Sequence, residues 1–423
     1  MSFTPEEKKE ILALINREVV LALGCTEPVS VALAVAKCRE TLGELPKRVE
    51  VLLSKNILKN AMGVGIPGTG MIGLPIAISI GLVAGKSEKG LDILNVSTNE
   101  LATSKKWLSE NKDNIQIKTK NTDEKLYIEV IAYTDQDTAK VIIAQKHTNF
   151  TLVEKNRKVL LHKPLDDDNQ PEKSKVELSV KKIYDFILEM PFNEIEFILE
   201  TAKYNSDAAK EGLKGYGLHT GKIVLDNAKG DFVHTVIAYT AAAADARMDG
   251  CMKPVYSNSG SGNQGITCTM PIYEYAKLKK KSDEEIARAL LLSHLMSIYA
   301  KQHIGRLSAL CGVVNASIGV CCGLVYLQEG TFEQISYSIK NMINSITGMV
   351  CDGAKPSCSL KVSIGIYAAF ICSELALNEK IVDETDGLSE KDVDRSIANL
   401  GKIGFYGMDQ TDDVILDIMT NKK

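Results

Sequence analysis

Three cysteines in unusual surroundings, Cys311, Cys351 and Cys358, are the residues of this chain best suited to chemistry. Cys311 sits in SALCGVVNASIGVCCG, while Cys351 and Cys358 bound the short segment CDGAKPSC. Each lies where a helical pattern starts or stops, amid Gly, Pro, Ser and Asn. Cys38, Cys321, Cys322 and Cys372 fall inside helical patterns instead, where a thiol serves as a small apolar filler. A structural zinc site would want a fourth Cys or His at close spacing, and none is there. Three thiolates without a fourth partner suit an iron–sulfur cluster with one iron open to a substrate, although the spacing matches no common ferredoxin run. Cys251 and Cys268, which flank a polar loop, are open to either role.

Two further segments carry chemical potential. Gly24-Cys25-Thr26-Glu27-Pro28 is a sharp break between two helical patterns. A thiolate at a helix N-terminus is stabilised by the dipole and by unpaired N–H groups, so Cys25 could act as base or nucleophile. The competing reading is a helix cap made by Thr26 and Glu27. The loop YSNSGSGNQGITC (256–268) is rich in Gly, Ser and Asn. Its successive N–H groups, followed by a helix start, could hold a carboxylate or phosphate. The alternative is an ordinary interhelical loop. Its apolar flanks argue for burial, and buried polar groups must find partners.

The elements that must position these residues follow from pattern. Residues 4–23 read as an amphipathic helix and TEPVSVALAVAKCRETLG as a second. RVEVLLS, KLYIEVIAYT, AKVIIAQKHT and FTLVEKNRKVLL read as strands, with the helical TNELATSKKWLSENK among them. HKPLDDDNQPEKSK is a charged linker, after which helical patterns dominate. The expectation is an α+β protein: a small α/β domain with a mixed sheet plus a larger all-helical domain. Residues 1–45 are expected to hold N-terminal helices with the GCTEP motif, 46–170 the α/β domain, and 171–423 the helical domain.

Composition narrows the function classes. The 423 residues carry a formal net charge of -4, with 45% hydrophobic and 25% charged residues. That balance speaks against a nucleic-acid surface. The N-terminal SFTPEEKKE has no apolar leader pattern, so a cytoplasmic location with reduced thiols is expected. Uncharged stretches at Ala61–Ala84 and Leu307–Gln328 are long enough to span a bilayer, but prolines, glycines and polar residues interrupt them, so no membrane is expected. GVGIPG matches G-x-G-x-x-G literally, yet it does not follow a strand directly, and GLVAGKS is one residue short of a phosphate loop. Neither is read as a nucleotide site.

Five blocks in order, LALGCTEPVSVALA, KNAMGVGIPGTG, SGSGNQGITCTMPI, LSALCGVVNASIGVCCG and MVCDGAKPSCSLKVS, resemble the L-cysteine desulfidase family. That family is related to the α region of bacterial iron–sulfur L-serine dehydratases. The resemblance spans nearly the whole chain. It implies a [4Fe–4S] cluster held by Cys311, Cys351 and Cys358, with one open iron, and Cys25 as proton acceptor. The substrate carboxylate would be held by Ser259, Ser261, Asn263 and Gly265. The implied reaction is α,β-elimination of L-cysteine to pyruvate, ammonia and hydrogen sulfide. L-serine dehydration by the same mechanism is the alternative, and a non-catalytic cluster- or zinc-binding protein or a pyridoxal-phosphate lyase are rivals from other classes. The partners expected are a small amino acid and further copies of the chain in a homo-oligomer. Some serine dehydratases cap the open iron with a C-terminal cysteine, whereas this chain ends DIMTNKK, so water or substrate is expected there.

Overall fold

From its N-terminus the chain runs α1 (Pro5–Glu18), β1 (Leu21–Ala22) and α2 (Thr26–Leu42). The computed structural model describes residues 3–165, 177–305 and 308–422; most of the charged linker falls outside them. Next come β2 (Arg48–Leu53), α3 (Lys55–Ala61), the small hairpin β3 (Gly65–Ile66) and β4 (Met71–Ile72), α4 (Leu74–Val83) and α5 (Thr98–Asn111). Strands β5 (Ile115–Thr119), β6 (Tyr127–Tyr133), β7 (Thr138–Ala144), β8 (Phe150–Lys155) and β9 (Lys158–His162) complete this half. They form a six-stranded sheet in the order β5-β2-β6-β7-β8-β9. Only the β2–β5 pair is parallel, so the sheet is mixed.

Alternation explains how this sheet is covered. Val49, Val51 and Leu53 of β2, Ile128 and Val130 of β6, and Val141 and Ile143 of β7 all turn to one buried face. Helix α2 lies on that face, its own small apolar run Val29–Ala36 buried on every side. Helix α4 packs behind α2, and its Gly81 permits close approach: a Cβ there would come within 2.6 Å of the Ala32 carbonyl oxygen. The glycines of GLVAGKS and GVGIPG are therefore packing residues. A Cβ on Gly65 would strike the Asp249 backbone at 2.4 Å.

Among the described residues of the second half, the one named strand is the two-residue β10 (Val255–Tyr256), which pairs with β1; the other named elements are helical. Its helices are α6 (Val180–Glu189), α7 (Phe192–Ile195), α8 (Leu199–Gly212), α9 (Thr220–Asn227), α10 (Phe232–Met248), α11 (Gly262–Leu278), α12 (Asp283–Ile304), α13 (Gly312–Leu327), α14 (Phe332–Ile346), α15 (Cys358–Leu377), α16 (Val393–Lys402) and α17 (Asp409–Thr420). Helix α13 is the hub and is buried along almost its whole length. In the two uncharged stretches the helices are α4 and α13, of 10 and 16 residues, the first stretch also holding the β3–β4 hairpin. Among the described residues, α15 alone has the length and apolarity to cross a membrane. Its Val362, Ile366, Ala369 and Phe370 pack into the helical core.

Two expectations need correction. The first helix ends at Glu18, not near residue 23, because Leu21 and Ala22 leave it to pair with Tyr256 and Val255. The polar loop is also shorter than expected, since α11 already begins at Gly262. Gly262 and Gly265 read as loop but serve close contacts: a Cβ on Gly265 would meet the Tyr256 oxygen at 2.1 Å.

The remaining loop, Ser257–Ser261, does find partners for its buried polar groups. The Ser257 amide and hydroxyl both donate to the Val20 carbonyl oxygen, and the Ser259 amide to that of Glu18. Fully buried Asn258 donates its amide to His294 Nδ1 (3.0 Å) while its Oδ1 accepts from Ser259 and Gln264. This pattern puts the imidazole proton on Nε2, facing Thr269 Oγ1 at 3.0 Å. Burial pushes His294 down to about 3, so it is neutral in the fold. Between its ordinary value and that one, the unfolded chain binds a proton that the folded chain refuses, so stability drops as pH falls through this window. We expect His294→Ala to lose roughly 1–3 kcal/mol at neutral pH by removing the acceptor of one Asn258 amide hydrogen, the other staying on the residue-294 backbone oxygen. It should also show a shallower decline between pH 7 and 4.5. Urea titrations at both pH values check this, and parallel declines would refute it.

Candidate active site

One cavity of about 790 Å3 lies where the two halves meet. It is lined by Cys25, Ser259, Ser261, Asn263, Cys311, Cys351 and Cys358 together. Gly265 is the exception: it stands behind the wall, against the Tyr256–Ser257 backbone. Cys251 and Cys268 are buried away from the cavity lining.

Local structure explains the convergence of the thiols. Residues Leu310 and Val350 form an isolated antiparallel bridge, flanked by hydrogen bonds from the Cys311 amide to the Met349 oxygen (3.0 Å) and from the Cys351 amide to the Ala309 oxygen (2.6 Å). The loops carrying these two cysteines are thus stitched side by side. From Cys351 the chain turns through Gly353, whose φ is +94° and whose missing Cβ would meet the Lys59 oxygen at 2.2 Å. Against the cost of burial, Lys355 and Lys361 hold the Asp352 carboxyl down to about 2, an anchor inside the turn. The turn delivers Cys358 as the first residue of α15, its Sγ 3.6 Å from the Gly353 oxygen.

Burial pushes the Cys311 thiol up to about 12, with Cys351 and Cys358 adding to the shift, and burial also raises Cys358. As folded without metal, these two thiols hold their protons, which a metal would have to displace. Cations are already in place for the resulting charge. Lys361 lines the cavity, and so does Lys301, whose ammonium burial pulls down to about 8 against the opposing pull of Cys351 and Cys311. Among the described residues, no three His, Cys, Asp or Glu side chains converge closely enough to hold a single metal ion. A donor set of three soft thiols lining one cavity, with cations beside them, suits a polynuclear cluster better than one enclosed ion.

Cys25 takes the N-cap position of α2 but makes no capping bond with its sulfur. Its thiol donates to Glu27 Oε2 at 2.9 Å instead. Burial, and then the Glu27 charge, push this thiol well above its ordinary value, so it is protonated at rest rather than the thiolate expected from helix position alone. Glu27 itself is 8% exposed. Although burial works against it, His147, the Cys25 thiol, its own amide and Asn60 keep its carboxylate below the usual range. The cap and the reactive group are thus one unit. Sequence reading assigned Glu27 only to capping and overlooked Asn60, Lys301 and Arg247. A lone arginine closing the alanine-rich AAAADARM was the available signal for the last.

Three cavity-lining thiols share one space with a buried thiol–carboxylate pair, on a helical core joined to a mixed sheet. The chain belongs to the serine dehydratase alpha-chain family, whose model matches residues 88–417. That match includes the three cavity cysteines and the Ser259–Asn263 segment but not Cys25. The chain is 53% identical over 426 residues to a UPF0597 protein of Phocaeicola vulgatus, covering 99% of this chain and 98% of that one. A UPF0597 protein of Bacteroides fragilis is 50% identical over 426 residues, covering 99% of each. One of Porphyromonas gingivalis is 47% identical over 429 residues, covering 98% of this chain and 99% of that one.

Replacing Glu27 by Gln removes the negative charge beside Cys25 and should lower that thiol toward its ordinary value. Alkylation of Cys25 by iodoacetamide at pH 8, followed by peptide mass spectrometry, is expected to run several-fold faster in Glu27→Gln than in the unaltered chain. Equal rates would show that Glu27 does not govern the thiol.

Proposed function

We propose that this chain is an iron–sulfur-dependent lyase acting on a small L-α-amino acid, with L-cysteine converted to pyruvate, ammonia and hydrogen sulfide. The observation that carries this reading is the shared cavity: Cys311, Cys351 and Cys358 face the same space as the Cys25–Glu27 pair. Membership of the serine dehydratase alpha-chain family supports it. A [4Fe–4S] cluster on the three thiolates would supply a Lewis-acidic open iron for the departing sulfur or oxygen.

The chain's own groups account for the remaining demands. The Cys25 proton already points at Glu27 Oε2, so its transfer there would free a thiolate to accept the substrate's Cα proton. Ser259, Ser261 and Asn263 sit at the N-terminus of α11, where unpaired N–H groups favour a carboxylate. Holding that carboxylate would also stabilise negative charge developing at Cα. Leu310, Val313 and Phe405 add apolar wall to the same cavity and limit water around the reacting atoms.

L-serine is the second reading, favoured by the description of the matched family as serine dehydratase alpha chain. The two substrates differ only in the β-atom. Anaerobic loading with iron and sulfide should give a broad visible cluster absorbance, lost together with activity in Cys351→Ser. Absence of that absorbance, or full activity in Cys351→Ser, would overturn the proposal. Cys25→Ala should keep the absorbance and lower kcat by at least ~100-fold, the scale of a lost general base. Comparing kcat/KM for L-cysteine and L-serine in one preparation then decides the substrate.

A further inference from the structure

Arg247 is a buried charge whose place in the fold is not explained by an ion pair among the described residues. It ends α10, is 6% exposed, and lines the cavity. Among the described residues, two of its five N–H donors have partners: Nη1 donates to Asn263 Oδ1 at 3.2 Å and Nη2 to the Gly24 oxygen at 3.1 Å. Its Nε is buried with no partner. No carboxylate among the described residues pairs with it. Asp245 turns instead to the Gly221 amide (2.9 Å), Asp249 to the Gly217 amide (3.1 Å), and Glu27 to Cys25, Thr26 and Asn60.

A buried guanidinium without a counter-ion is costly, and proteins keep one where a ligand completes it. The surrounding backbone is shaped for this group. A Cβ on Gly262 would fall 2.1 Å from Arg247 Nε and 2.6 Å from Cζ, so only glycine leaves room. The neighbours also match an amino acid's carboxylate. The α11 N-terminus begins at Gly262, and Asn263 is already hydrogen-bonded to Nη1. The competing counter-ion is the set of cluster thiolates: Arg247 acts on Cys358, while Lys301 and Lys361 line the cavity and act on Cys311 and Cys351.

We propose that Arg247 is the carboxylate anchor of the site, binding the substrate's α-carboxylate next to Asn263 and Ser261. This rests on the amino-acid lyase reading above and deepens it. The consequence for chemistry is geometric. Arg247 also holds the carbonyl of Gly24, whose neighbour is Cys25, and in an amino acid the Cα–H lies one bond from the carboxylate. One side chain therefore sets both the substrate and the residue meant to take its proton.

The test uses the full-length chain, loaded anaerobically with iron and sulfide, and L-alanine, which has no β-leaving group and cannot turn over. L-Alaninamide, which lacks the carboxylate, is the comparison. Calorimetry should show L-alanine bound at least ~10-fold more tightly than L-alaninamide, a preference that falls to near unity in Arg247→Gln. Arg247→Lys should retain part of it, because charge survives without the planar fork. Gly262→Ala should reduce it by displacing the guanidinium, and thermal melts confirm that each variant folds. An undiminished preference in folded Arg247→Gln would overturn the assignment. So would loss of cluster absorbance with the preference intact, which would make Arg247 a partner of the cluster. Failure of the unaltered chain to bind L-alanine would also overturn it. Absence of a cluster with the Arg247-dependent preference intact would sink the proposed reaction while leaving the anchor standing.

Discussion

Four helix N-termini meet at one cavity, and most of the molecule serves to hold them there. Helix α2 starts after Cys25, α11 after Ser261, α13 after Cys311, and α15 at Cys358 itself. Each start leaves backbone N–H groups without helical partners and carries the positive end of a helix dipole. Like ends repel, and Lys301, Lys361 and Arg247 line the same space, where Glu27, Asp123, Glu124 and Asp409 and any bound anion answer them. Thiolates and a carboxylate are the anions its residue types suit.

Rigidity comes from places where one backbone presses on another. Gly65 and Gly250 bring the β3 hairpin against the end of α10, and Gly353 brings the cysteine-bearing turn against α3. Helix α3 is held from outside as well, because the buried ammonium of Lys59 pairs with Asp412 of α17, while Asn56 donates to the same carboxylate. These contacts tie the sheet half to the helical half around the site. A side chain on any of those glycines would force the two halves apart at the point where their residues must cooperate.

Much of this was legible in the sequence, for reasons that differ between elements. Strands β2, β6, β7 and β8 showed because one face is buried and the other is not, which writes period-two alternation into the chain. Cys311, Cys351 and Cys358 stood out because helix boundaries need Gly, Pro, Ser and Asn. By contrast, β5 alternates too weakly to be noticed, since its residues are half-buried or exposed at a sheet edge. The start of α11 was misplaced because its glycines, chosen for close approach to Arg247 and Tyr256, imitate a loop. Arg247 and Lys301 were missed for a different reason. Among the described residues no carboxylate pairs with either, and such a lack leaves no mark on the neighbouring sequence.

The protonation of Cys25 bears on how such a site would be switched on. A thiol kept protonated by burial and by Glu27 is a poor base and, equally, a poor target for oxidation. The same segment, Gly24 to Glu27, touches a cation at one end through Arg247 and carries an anion at the other. A ligand of one sign would satisfy one end and strain the other. An α-amino acid carries both charges about one Cα apart. With its carboxylate at Arg247, its ammonium would stabilise the thiolate left on Cys25 when the thiol proton passes to Glu27. In the proposed reaction the thiolate would then form only when substrate is bound, which reconciles a well-protected resting thiol with its use as a base.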